Sequence, residues 1–177
     1  MPYTAMFSLT KPVLRRALWW VALSFALNLL WETAQSPLYV FPGARGIQVA
    51  YSILHCTVGD VFISFAGFLL AGFSVRDPDW PFSRPWMGGA IATVVGLLYT
   101  VYSEWNNVSQ LGSWGYTSAM PLILGIGVAP VLQWLVLPLL TVLCLRKIST
   151  ADKRAQSSAC TGVQTTPHRE AQQQAPK

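Results

Sequence analysis

Charge is scarce in this sequence: Asp, Glu, Lys and Arg make up only 11% of its 177 residues, against about a quarter in an ordinary soluble domain. That excludes a conventional soluble domain as the chain's main body. Cysteine is scarce too. Cys56, Cys144 and Cys160 are odd in number and far apart, which fits neither a disulfide framework nor a zinc-ligand pair. There is no GxSxG elbow, phosphate loop, HExxH helix or CxxCH haem-attachment motif, so the usual hydrolase, nucleotide, zinc-peptidase and haem signatures are missing. Asn107-Val108-Ser109 fits the glycosylation pattern, but a three-residue match has little specificity and needs a eukaryotic lumen. A metal held by Glu32, His55, Asp60 and Glu104 would have an oxygen-rich shell. Nothing in their spacing demands one, so no metal is assigned and the cofactor is left open.

Apolar sequence is plentiful, at 53% of residues. Four runs, over residues 17–38, 47–75, 86–107 and 119–145, each approach the roughly 20 residues that cross a bilayer as a helix. They are continuous rather than alternating, which argues against a β-barrel. The expected fold is all-α: a four-transmembrane-helix up-down bundle over 17–145, a cytoplasmic lead over 1–16, and a basic, polar, disordered tail over 146–177. The tail is rich in Ser, Thr, Gln and Ala without apolar periodicity. The first run is too long for a signal peptide, carries Glu32 and lacks a clean cleavage site, so it reads as an uncleaved helix.

Basic residues set the expected orientation. Lys11, Arg15 and Arg16 precede the first span, Arg76 and Arg84 follow the second, and six more follow the fourth; Arg45 alone falls in a remaining loop. The positive-inside rule then puts both termini and the middle loop in the cytoplasm of a multi-pass inner (plasma) membrane protein. Topology largely explains the net charge of +5, so nucleic acid need not be a partner, whereas anionic lipid headgroups are natural neighbours. The charges of the loop after the second span, VRDPDWPFSRPW, read as simply solvated. Oligomeric state is not legible.

The polar residues inside the spans carry the functional reading. Glu32, Asp60 and Glu104 are three of the seven acidic residues, and His55 is one of two histidines. With a rise of 1.5 Å per residue, Glu32 and Glu104 lie roughly 5–8 Å below the outer helix ends, Asn28 and His55 about 12–14 Å, and Asp60 about 20 Å. Asn28 and Glu32 share a face. In the second span Ser52, Cys56 and Gly59 form a narrow small-residue stripe flanked by His55 and Asp60. In the third, Thr93, Thr100 and Glu104 align beside Gly96 and Ser103.

Unpaired polar groups in hydrocarbon cost several kcal/mol, so these side chains must face one another, water or a ligand. The expected site is one cavity open to the outer face, with Glu32, His55, Asp60 and Glu104 as catalytic candidates and Asp60 at its floor. Asn28, Tyr99, Trp114, Tyr116 and Gln133 are the ligand-binding candidates. Blander readings stand beside this one. Glu32 and Glu104 lie near enough to the interface to be solvated, and His55 and Asp60 can serve as helix-packing hydrogen-bond partners. Pro121, Pro130 and Pro138 can simply shape the fourth helix, and Trp31, Trp86, Trp105 and Trp114 can be interfacial anchors.

NLLWETAQSPLY, HCTVGDV and EW…GSWGY…MPLILGIGVAPVLQW, spanning about residues 28–138, resemble a recurring pattern of small uncharacterised four-helix bacterial inner-membrane proteins. That resemblance implies an architecture and carries no activity. Glu104, Gly112, Trp114, Tyr116, Gly127 and Pro130 are also similar to positions in membrane enzymes of carotenoid hydration and cyclisation, whose acidic proline motifs this chain does not reproduce. Two function classes follow. One is a membrane enzyme moving protons on a lipid or isoprenoid ligand; the other is a non-enzymatic carrier, channel subunit or assembly factor.

Overall fold

The computed structural model describes residues 11–43 and 45–163, with side chains through Ala151. It is mostly helical, and four of its helices are long and apolar enough to cross a membrane: Lys11–Leu38, Ile47–Val75, Pro85–Leu111 and Val128–Ala151. Contacts divide the chain after Leu145 into a larger unit and a smaller one beginning at Arg146.

Helix α1 (Lys11–Gln35) gives way at Ser36-Pro37 to a short 3-10 turn and then strand β1 (Tyr39–Val40). Helix α2 (Ile47–Val75) stops at Arg76, which is left-handed at φ 55° and returns its N–H to the carbonyls of Gly72 and Phe73. A short helix α3 (Trp80–Ser83) precedes α4 (Pro85–Glu104), where Pro85 occupies the first turn and needs no N–H partner. α4 widens into a π-helical turn, Trp105–Leu111, ended by Gly112 at φ 63°. Strand β2 (Gly115–Tyr116) then pairs antiparallel with β1, setting Tyr116 opposite Tyr39. Strands β3 (Leu122–Ile123) and β4 (Ile126–Gly127) form a tight hairpin, and α5 (Val128–Val163) follows.

Several boundaries differ from the sequence expectation. The described part of the first helix runs from Lys11, so residues 11–16 of the expected lead are helical; residues 1–10 lie outside the described residues. The run over 119–145 is not one span, because its first residues form the β3–β4 hairpin. Leu124 and Gly125 both have positive φ, 50° and 82°, which reverses the chain in two residues. Pro130 therefore sits in the first turn of α5, where it disturbs no hydrogen bond. Residues 146–163, expected as disordered tail, are helical, and 164–177 lie outside the described residues. Ala, Lys, Arg and Gln are good helix formers even without an apolar face.

One end of the larger unit is dry. Trp20, Phe68 and Trp80 meet ring to ring at centroid distances of 5.1, 5.3 and 5.7 Å, and Ala71, Val75, Val142 and Leu145 complete the cluster. Trp80 is fully buried and donates its indole N–H to the carbonyl of Phe68 at 3.1 Å. Its ring lies over Gly88, where an added Cβ would come within 2.0 Å. Arg16 pairs with Asp79 and stacks 4.9 Å above the Phe82 ring. The charges of the loop after α2 are thus not merely solvated: Asp79 binds α1, and Asp77 accepts from Ser83 and from the Asp79 amide.

Away from this end, α2 and α4 still touch at Gly67, where an added Cβ would stand 3.2 Å from Ala92 Cα, and Trp134 of α5 lies against Gly96, where a Cβ would come within 1.8 Å. Past Trp134 a polar pocket opens, lined on α2 by Ser52, Cys56, Gly59 and Asp60 and on α4 by Tyr99, Thr100 and Ser103.

Candidate functional site

A pocket of about 210 Å³ lies among α1, α2, α4 and the start of α5. On α1, Asn28, Glu32 and Gln35 recur at helical spacing on one face. Gln35 donates to Glu32 at 2.7 Å and to Gln133 Oε1 at 3.3 Å. Gln133, which is 2% exposed, donates to Asn28 Oδ1 and to Asp60 Oδ2, both at 2.8 Å. One amide from α5 thus ties α1 to α2. The Glu32 and Asp60 carboxyl groups also lie close enough to interact with each other.

Below the pocket the polar chain descends towards the dry end. Asn28 donates to the Ser24 carbonyl at 2.8 Å, Ser24 and Ser64 share a bond at 2.8 Å, and Trp20 donates to Ser64 Oγ at 3.1 Å. Each buried polar group in this series finds a partner, which removes most of its cost in an apolar surround.

Glu104 stands at the end of α4 with different company. Tyr116 donates to its Oε2 at 2.5 Å while accepting the Gly127 amide at 3.0 Å. Tyr39, held opposite Tyr116 by the β1–β2 ladder, also lies close enough to interact with Glu104. The Trp114 indole N–H is buried without a bond of normal geometry and interacts more loosely with the same carboxylate. Burial pushes both phenols above the usual tyrosine range, and the Glu104 charge adds to the rise at Tyr39 and Tyr116. They remain donors.

Glu32, His55, Asp60 and Glu104 all line this pocket, as do Tyr99, Trp114 and Gln133. Asn28 stands one bond behind Gln133, and Tyr116 reaches in through Glu104. His55 and Tyr99 are exposed at its edge; His55 stacks on Tyr51 at 6.1 Å rather than entering the carboxyl network. Among the lining residues that were not sequence candidates, Gln35 and Tyr39 stand beside the carboxyl groups Glu32 and Glu104. Gln35 was readable, because it continues the Asn28 and Glu32 face. Among the described residues no group of three or more His, Cys, Asp or Glu side chains is placed to hold a metal ion.

Compared with family models, curated proteins and solved structures, the chain matches none. The functional reading has to come from the pocket.

Proposed function

We propose that this chain is a multi-pass inner-membrane protein whose pocket performs acid–base chemistry on a lipid or isoprenoid. The observation that carries this reading is the contrast between two carboxyl sites lining one cavity. Asp60 and Glu32 stand beside each other and accept from the side-chain amides of Gln133 and Gln35, while Glu104 stands apart and accepts from the Tyr116 phenol. Two carboxyl sites in unlike surroundings divide the roles of acid and base. The Asp60–Glu32 pair gives a proton to one carbon of an alkene, forming a C–H bond and a carbocation. Glu104 takes a proton from a neighbouring carbon, restoring a double bond, so the product is an isomer or a ring. Return of that proton across the pocket resets the site. The likeness of Glu104, Trp114 and Tyr116 to carotenoid-modifying enzymes points to the same chemistry.

The bundle runs up and down with both ends in the cytoplasm, a reading supported by the basic residues flanking the spans. Reporter fusions after Arg84 and after Gln110 will report opposite sides; agreement between them removes this topology. Mass spectrometry of lipids that copurify with the protein tests the chemistry. An unsaturated lipid or isoprenoid is expected, together with its isomer. Asp60→Asn and Glu104→Gln will keep the bound lipid and abolish conversion. Unchanged conversion in both variants overturns the acid–base reading and leaves a carrier.

A further inference from the structure

Among the described residues lining the pocket, all are at least partly buried except His55 on α2 and Tyr99 on α4. These helices touch at Gly67 and Ala92 and then line the pocket together, α2 with Ser52, Cys56 and Gly59 and α4 with Thr100 and Ser103. On either side of His55 and Tyr99 the surface is apolar: Leu54, Val58 and Phe62 on α2, and Leu98 and Tyr102 on α4, are 40–71% exposed. At the other end the pocket is roofed by Tyr39, Phe41 and Trp114, which are partly buried. The edge of the cavity therefore meets a surface suited to lipid.

Size and charge limit what enters. At about 210 Å³ the pocket is smaller than the 300–1,000 Å³ or so that encloses a drug-sized ligand. It holds a polar end with the first few carbons behind it, where an alkene can reach the carboxyl groups, and leaves the rest of a long chain outside. Three carboxyl side chains line it, and no Lys or Arg does so among the described residues. A phosphate placed there would meet like charge in a surround of low dielectric, with no cation to offset it.

We propose that the pocket is loaded sideways from the bilayer through the seam between α2 and α4, and that it takes the uncharged or cationic polar end of an amphiphile while excluding phosphate-headed lipids. This rests on the lipid-binding reading above and narrows it, since isoprenoid diphosphates fall outside the accepted class. Gly59 lies on the path. An added Cβ there meets no atom within 4 Å, so a larger side chain has room to leave the backbone and takes up space in the pocket that Gly59 lines.

Cys56 lines the pocket one turn from Ser52 and provides the reporter. In full-length protein carrying Cys144→Ala and Cys160→Ala, reconstituted in vesicles, it is the sole thiol. A bilayer-soluble pyrene maleimide is expected to label it at least 5-fold faster than a sulfonated, water-soluble maleimide. Dodecanol and dodecylamine will slow that labelling at least 5-fold, dodecyl phosphate will not, and Gly59→Leu will slow it without ligand. Equal or faster labelling by the sulfonated reagent overturns the lateral route; equal protection by dodecyl phosphate overturns the charge selection. If Cys56 reacts with neither reagent, Ser52→Cys in a Cys56→Ala chain takes over as reporter, and its failure to react with the pyrene reagent also overturns the route. Labelling as expected with no alkene conversion preserves the seam and removes the acid–base reading. Conversion with water-side labelling removes the seam alone.

Discussion

The end of the molecule around Trp80 and the end around Asp60 use the same helices, α1, α2 and α4, yet different forces hold them together. At the Trp80 end three aromatic rings interlock, Gly88 makes room for one of them, and the Arg16–Asp79 pair closes the edge. At the Asp60 end the helices stand apart and amides bridge them. Among lipid tails apolar burial drives little association, so helices adhere through close fit or through hydrogen bonds. A close fit leaves no room for a ligand. A hydrogen-bonded wall spans a gap and presents its remaining polar atoms to whatever fills it.

The same substitution at two glycines should break the comparison most sharply. Gly88→Ala drives a methyl into the Trp80 ring and should cost about 3 kcal/mol, the upper end for overpacking. Gly59→Ala meets open space and should be neutral or stabilise by up to about 1 kcal/mol, because alanine favours the helix. Thermal unfolding in detergent reads both, and equal losses would mean that the Asp60 end is as tightly packed as the other. Next in size is Gln133→Leu, which leaves Asn28, Asp60 and Gln35 without their shared partner. It should cost about 1–2 kcal/mol in the same measurement.

Asp60→Asn should change stability by less than about 1 kcal/mol. The amide oxygen still accepts from Gln133 and its NH₂ donates to Glu32, so the geometry survives while the transferable proton is lost. A large fall in the melting temperature would make Asp60 a structural residue.

The smallest effect concerns the phenols. The folded state holds the Tyr39 and Tyr116 protons more tightly than the unfolded chain. Between the ordinary phenol pKa of about 10 and the raised folded values, the unfolded state binds fewer protons, so stability falls as pH rises through that window. Absorbance titration should show these two unresponsive as the pH is raised past the ordinary phenol range. Tyr116→Phe should shrink the silent fraction by one residue.

The four apolar helices were legible because length and hydropathy are local properties. So was the Ser52, Cys56 and Gly59 stripe, since helical spacing alone predicts a shared face, and all three line the pocket. Tyr39 was not legible, because the β1–β2 pairing that positions it joins segments distant in sequence. The bond between Arg16 and Asp79 was hidden for the same reason. The start of α5 was misread because tight hairpins usually announce themselves with Asn-Gly or Asp-Gly. Here Leu124 takes a left-handed conformation before Gly125, and its apolar side chain imitates a membrane span. The helix over 146–163 was missed because periodicity was given more weight than propensity.

The bonds from Gly127 to Tyr116 to Glu104 all point one way. Each donor polarises the next, but the series begins at a backbone amide, which cannot give up its hydrogen and take another in exchange. Relay along a row of hydroxyls requires every link to reverse in turn, and here the first is fixed by the peptide bond. Tyr116 therefore acts as an insulator, blocking conduction between Glu104 and the hairpin and leaving the pocket side of the carboxyl group for any exchange of its proton.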